Sequence, residues 1–127
     1  MNALTAEWLT KGEEDYSVAI GLLRRRRIPA NSICFHCQQA AEKYLKATPQ
    51  ENGIRFGKSH DVEELGRMLS GSAPELLLLT DDLKLLSDYA VRYRYPGFDA
   101  TVRQARSAVE AAKKVRLMVR GLLGSSP

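Results

Sequence analysis

Asn31-Ser32-Ile33-Cys34-Phe35-His36-Cys37-Gln38-Gln39-Ala40-Ala41-Glu42-Lys43-Tyr44-Leu45-Lys46-Ala47 is the stretch whose periodicity decides the fold. Set at about 100° per residue, Ile33, Cys34, Cys37, Ala40, Ala41, Tyr44 and Leu45 share one half of a helical wheel. Phe35, His36, Gln38, Gln39, Glu42, Lys43 and Lys46 share the other half. The segment therefore predicts an amphipathic helix over residues 31–47, with Asn31 or Ser32 as its N-cap.

The same period runs outward in both directions. Trp8, Tyr16, Ala19 and Leu23 form a stripe on a first helix over about 6–25, which Gly12 weakens slightly. Arg24 to Arg27 stand at its end, where cations suit the helix dipole, and Ile28-Pro29-Ala30 connects it to the second helix. Residues 48–58 contain Pro49, Gly53 and Gly57 and read as a loop. A short third helix spans 61–70, with Asp61 and Glu64 resembling a capping box. A fourth runs from Pro74 or Asp81 to about Tyr93, interrupted near Thr80 and ended by Pro96. Asp99 is the expected cap of a fifth helix, whose stripe is Val102, Ala105, Val109, Ala112, Val115 and Val119. No alternating strand pattern appears. The expected fold is all-α, an up-and-down four-helix bundle with an additional short helix. It forms one domain over 1–127, with about 121–127 as a frayed tail.

The 127 residues are 44% hydrophobic, enough for a core without disulfides or metal staples. Cys34 and Cys37 are three apart on a helix, with no second Cys/His pair to complete a zinc site. They read as reduced, buried, small apolar residues, and no metal or cofactor is expected. No apolar run reaches the ~18 residues that span a bilayer, and residues 1–11 lack the features of a signal peptide, so a cytoplasmic location is expected. Net charge is +4, unevenly spread: residues 1–90 hold 11 Lys/Arg against 13 Asp/Glu, and 91–127 hold 8 against 2. A basic C-terminal third can attract phosphates or can simply be a solvated helix face.

Several side chains are candidates for binding. His36, Gln39 and Lys43 line up on the polar side of the second helix and could meet a phosphate and a base edge. Phe35 is a large aromatic on that side, which suits a dimer contact. His60 precedes the third helix, where backbone N–H groups can receive an anion. Tyr89, Arg92, Tyr93, Arg94 and Tyr95 form the densest aromatic-basic cluster. Each of these has a structural alternative: a solvated stripe, a locally satisfied His, or rings that fill the bundle end.

Three segments together resemble the HEPN family (higher eukaryotes and prokaryotes nucleotide-binding). Phe35-His36-Cys37-Gln38-Gln39-Ala40-Ala41-Glu42-Lys43-Tyr44-Leu45-Lys46 is similar to its F-H-x-Q-Q-A-A-E-K-x-L-K helix. Ser59-His60-Asp61-Val62 with Leu65 is similar to its (T/S)-H-D-(L/I)-x-x-L, and Arg94-Tyr95-Pro96-Gly97 to its R-Y-P-(D/G). The resemblance implies a helical bundle that forms homodimers or higher homo-oligomers. It implies a nucleotide or RNA as ligand, and a minimal nucleotidyltransferase as partner in a two-component, toxin–antitoxin-like unit. It raises His36, Gln39, Lys43, His60, Arg94 and Tyr95 as nucleotide-binding candidates, with Phe35 and Tyr93 at an interface. Tyr93 or Tyr95 could accept an adenylyl group.

Many relatives are metal-independent ribonucleases with an R-x(4–6)-H pair. Arg55 and His60 match that spacing, but they lie before the third helix, whereas the family places its pair near the bundle end. There this chain has Arg94-Tyr95-Pro96, and no His follows His60. The expected function is therefore a non-catalytic nucleotide-binding accessory. An RNase toxin using Arg55 and His60, and a purely structural interaction module, are the alternatives.

Overall fold

The computed structural model describes residues 1–53 and 59–124. These form helices α1 (Ala3–Leu23), α2 (Ala30–Asn52), α3 (Val62–Leu69), α4 (Thr80–Arg92) and α5 (Val102–Leu122), with a 3-10 helix (Pro74–Leu79) leading into α4. There is no strand among the described residues. α1, α2, α4 and α5 are the long antiparallel members of an up-and-down bundle, and α3 is the additional short helix. Contacts along the lengths show the directions. Glu13 of α1 meets Tyr44 of α2, Asn2 meets Gln50, and Asp82 of α4 meets Lys114 of α5.

α2 is the central element and packs against every other α-helix. Small residues let it lie close to α5: Ala40, Ala41 and Ala47 on α2, and Ala105, Ala108, Ala111 and Ala112 on α5, are all buried. Ile33, Cys34, Cys37, Tyr44 and Leu45 are fully buried, as the periodicity predicts. The other half of its wheel is not uniformly solvated. Gln38, Glu42 and Lys46 are buried too, because α3 and the start of α1 close over them. Each carries its own compensation. Lys46 pairs with Glu42 at 3.2 Å and lies 5.5 Å from the Trp8 ring centre, so neither charge is buried alone.

Several boundaries differ from the sequence reading. α2 does not stop at Ala47 but runs through Pro49 to Asn52, and Gly53 (φ 67°) closes it by bonding back to the Pro49 carbonyl. Proline inside a helix removes one backbone bond and costs about 3 kcal/mol. Here the ring is fully buried and the last turn is tied to the start of α1. Asn2 donates from its side chain to the Gln50 carbonyl and from its backbone to Glu51, and the terminal ammonium pairs with Glu51 at 3.4 Å. Asn2 also caps α1. The cap of α5 is Thr101, in a reciprocal capping box with Gln104, rather than Asp99. Asp99 and the Ala100 backbone instead bond the Asn31 side chain, so Asn31 does not cap α2. Val102 is exposed, and Ala108 takes a place in the buried stripe of α5.

Gly12 is where α1 crosses Tyr44. A methyl group there would stand 2.9 Å from two Tyr44 ring carbons, and that ring is fully buried. Gly21 has open space. Gly12→Ala is therefore expected to lower unfolding free energy by about 1–3 kcal/mol through overpacking, despite alanine's better helix propensity. Gly21→Ala in the same helix should be neutral or stabilising by up to about 1 kcal/mol. Urea denaturation of the two variants checks both.

Candidate functional site

A cleft of about 540 Å³ opens where α2, the start of α3 and the end of α4 meet. Phe35, Gln38 and Gln39 enter it from α2, on one face because their spacing is three and four residues. His60 and Asp61 enter from the chain before α3, and Ser87, Val91 and Arg94 from α4 and its end. A smaller recess of about 260 Å³ adjoins it, lined by Asn31, Ser32, His36, Tyr89 and Tyr93, with Phe35, Ala90 and Arg94 common to both. Residues from three separate sequence motifs thus share one concavity.

A hydrogen-bonded chain holds the cleft floor. Gln39 Nε2 donates to Gln38 Oε1 and Gln38 Nε2 donates to the His60 carbonyl, each at 2.8 Å. His60 Nδ1 lies 3.1 Å from Glu42 Oε2, the oxygen that also takes Lys46, and the His60 side chain is 80% exposed. Glu42 Oε1 is buried with no hydrogen-bond partner. The buried carboxylate thus fixes one ring nitrogen of His60 and leaves the other to the cleft side.

The remaining candidates separate. His36 Nδ1 lies 2.9 Å from Asp15 Oδ1, and Lys43 Nζ pairs with the other oxygen of the same carboxylate. Lys43 therefore turns toward α1 and away from the cleft, and His36 reaches only the smaller recess. The start of α3 is not an open anion seat. Asp61 Oδ1 takes the Glu63 and Glu64 N–H groups at 2.9 and 3.4 Å, together with the Ser87 hydroxyl at 2.9 Å. Tyr93 is only 9% exposed and packs edge-to-face on Tyr89 at 5.5 Å, so little more than its rim is available to an interface. Tyr95 is 61% exposed and lies outside the cleft lining. Arg55, half of the ribonuclease-type pair, lies outside the described residues.

Sequence reasoning missed Asp15, Ser87 and the Asn31–Asp99 clasp, because partners on different helices leave no mark in local spacing. It also missed Glu13. Glu13 binds Arg116 through both oxygens at 2.6 and 3.2 Å, accepts the Tyr44 hydroxyl at 2.8 Å, and has Arg120 at 3.4 Å. Partial burial alone would raise its pKa. The hydrogen bonds from Arg116 and Tyr44 and the two arginine charges outweigh that and hold it below its ordinary 4.5. Burial pushes the Cys34 thiol up to about 11 and the Cys37 thiol higher still. Both are therefore neutral thiols at physiological pH, with no disulfide between them. No grouping of three His, Cys, Asp or Glu side chains suited to a metal occurs among the described residues. No described helix is long and apolar enough to cross a membrane.

A family model described as HEPN domain matches residues 5–122. Among solved structures, TT1696 from Thermus thermophilus is 25% identical, with a TM-score of 0.78 over 92% of this chain and 96% of that one. ST0689, described as an archaeal HEPN homologue, is 21% identical, with a TM-score of 0.73 over 93% and 96%. The second likeness concerns the fold alone. No curated protein matches the chain.

Because the folded-state pKa of Glu13 is lowered, its stabilising effect is fully present above the unfolded value and is lost as pH falls through the folded one. Glu13→Gln is expected to destabilise the protein at pH 7, and the gap from wild type should shrink as pH drops below 4.5. Thermal unfolding across pH 3–8 (roughly the window that brackets carboxylate titration) reads this directly.

Proposed function

The chain belongs to the HEPN family, and we propose that it binds a nucleotide, free or at the end of a nucleic acid, in the cleft between α2, α3 and α4. The observation that carries this reading is the convergence of the three motif segments on one concavity, with Arg94, which has no ion pair among the described residues, in its wall. Each lining group suits one part of such a ligand. The 36%-exposed Phe35 ring offers a face to a base, the Gln39 amide can meet a base edge, and the free ring nitrogen of His60 and the Arg94 fork suit phosphate oxygens. Lys43 stands apart from this set, because Asp15 already neutralises it.

In this reading the protein is the non-cleaving accessory of a minimal nucleotidyltransferase and works as a homodimer. Exposed Phe35 and Val91 give the cleft rim an apolar element that suits association. If the transferase adenylylates this chain, the accessible acceptor is Tyr95 rather than the buried Tyr93. Its phenolic oxygen would form the bond to the α-phosphorus of ATP, with pyrophosphate leaving and the phenolic proton passing to solvent. Mass spectrometry after co-expression with such a transferase should then find one added AMP, absent in Tyr95→Phe. An unmodified wild-type chain would count against that partnership.

Thermal unfolding with ATP, ADP and GTP tests the cleft itself. A nucleotide at ~100 times its dissociation constant adds about 2.7 kcal/mol of stability if it binds only the folded state. Arg94→Ala should abolish the shift. Lys43→Ala should keep it, although removal of a partner from Asp15 lowers the baseline melting temperature. A shift that survives Arg94→Ala, or no shift with any nucleotide, contradicts the assignment.

A further inference from the structure

The chain has two histidines, and the nucleotide reading uses only His60. His36 is placed differently. It stands on α2 and turns one ring nitrogen toward α1, where Nδ1 lies 2.9 Å from Asp15 Oδ1. Asp15 is largely buried, and its other oxygen takes Lys43. A carboxylate held by an ammonium in this way can only accept. The hydrogen in the contact with His36 therefore belongs to Nδ1, and in the neutral ring the lone pair lies on Nε2. A carboxylate on one ring nitrogen also fixes the plane of the imidazole and makes the other nitrogen more electron-rich. The Phe35 ring packs edge-to-face on the same imidazole, with centroids 5.5 Å apart.

His60 is held less firmly. Glu42 Oε2 divides itself between His60 Nδ1 and Lys46 Nζ, at 3.1 and 3.2 Å, whereas Asp15 gives each of its partners a separate oxygen. His60 is 80% exposed and His36 only 30%. The better-oriented ring is thus the less accessible one.

Nδ1 of His36 is committed to α1, so the Nε2 side of the ring is what His36 brings to the smaller recess between the start of α2 and the end of α4. That recess holds about 260 Å³, below the roughly 300–1,000 Å³ of sites that take a drug-sized ligand. Its size suits a small group, and its chemistry suits an anionic one. Arg94 lines it and has no ion pair among the described residues. The Ser32, Tyr89 and Tyr93 side chains line it as well, and each carries a hydroxyl donor. No carboxylate is among the lining residues.

An oriented, nucleophilic nitrogen facing a recess of this kind is equipped for phosphoryl transfer. We propose that His36 Nε2 is a phosphoryl-acceptor site, modified by a small donor with a labile N–P or acyl-phosphate bond. The Nε2 lone pair forms the new N–P bond as the donor's own bond to phosphorus breaks. The leaving amine or carboxylate departs with that electron pair, and an amine then takes a proton from water. Nδ1 keeps its hydrogen, and Asp15 offsets the positive charge that the ring acquires. The Arg94 fork pairs with the phosphoryl oxygens. Arg94 also lines the larger cleft, so phosphorylation of His36 draws it away from there. This last consequence, control of nucleotide binding, rests on the cleft reading, whereas the acceptor role does not.

Potassium phosphoramidate, a small N–P donor, is the probe. Wild-type protein treated with it at mildly alkaline pH should gain a single phosphoryl group first, by intact mass, and peptide mapping should place it on His36 rather than on the more exposed His60. The product should be labile in acid and stable in base, as phosphohistidine is. Long-range 1H–15N spectra of the unmodified protein should show His36 as the Nδ1–H tautomer. Asp15→Asn keeps the shape of the positioning side chain without its charge, and should slow labelling of His36 roughly tenfold while His60 is unaffected. Labelling of His60 first or at an equal rate, no labelling, an Nε2–H tautomer at His36, or an Asp15→Asn variant that labels His36 as fast as wild type would each overturn the inference. The site ratio and the tautomer are read in the wild type, so they stand whether or not the variant folds. In the phosphorylated protein the ATP-induced thermal shift should shrink, and a shift of full size would overturn the control through Arg94. Failure of the cleft reading would look different: no ATP shift in the unmodified protein, while phosphoramidate still selects His36.

Discussion

A carboxylate and an ammonium buried together on α2 are the constraint on which the rest of the molecule depends. Glu42 and Lys46 lie inside the bundle because α1, α3, α4 and α5 surround α2, and neither charge could stay there alone. Lys46 is held between Glu42 and the Trp8 ring, which fixes α1. Glu42 reaches His60, which fixes the chain just before α3, and Gln38 captures the His60 carbonyl four residues from Glu42 along the same helix. The motif residues are therefore partly the means by which the bundle closes. What they leave exposed, the Phe35 ring, the Gln39 amide and the outer side of His60, is what the cleft presents.

The helical period revealed the class of the fold and the order of its elements, because five amphipathic segments with short connections have few other ways to bury their stripes. It missed what depends on neighbours. The wheel placed Gln38, Glu42 and Lys46 opposite the apolar stripe because residue type speaks for the isolated helix, and no spacing rule announces that Trp8 of α1 and the chain before α3 will cover them. Pro49 and Gly53 read as a loop for the same reason. The proline is tolerated because the N-terminus clasps the last turn of α2, and the glycine is that helix's C-cap. At α5 the local rule succeeds once applied two residues later, since Thr101 and Gln104 make the box that Asp99 does not.

The candidate site was legible in a similar measure. Phe35, Gln39, His60 and Arg94 meet in one cleft, whereas Lys43 is drawn to Asp15, His36 is divided between Asp15 and the smaller recess, and Tyr95 stands on the bundle end. The uneven charge along the sequence also concealed its more useful form. Setting residues 91–127 apart mixes Arg116 and Arg120, which are engaged by Glu13, with arginines that have no ion pair among the described residues, and it leaves Arg24 to Arg27 within the net-acidic remainder. The division between paired and unpaired cations is three-dimensional, and it runs across the bundle rather than along the chain.

The proposed nucleotide site is the cleft joining the three motif segments. The most direct measurement is backbone and side-chain amide NMR of the isotope-labelled protein during titration with ATP. Perturbations should concentrate at Phe35, Gln39, His60 and Arg94, with the Gln39 side-chain amide among the largest and Lys43 little changed. Perturbations confined to the groove between α1 and α5, around Ser17 and Arg120, or spread evenly over the basic surface of α5, would contradict it.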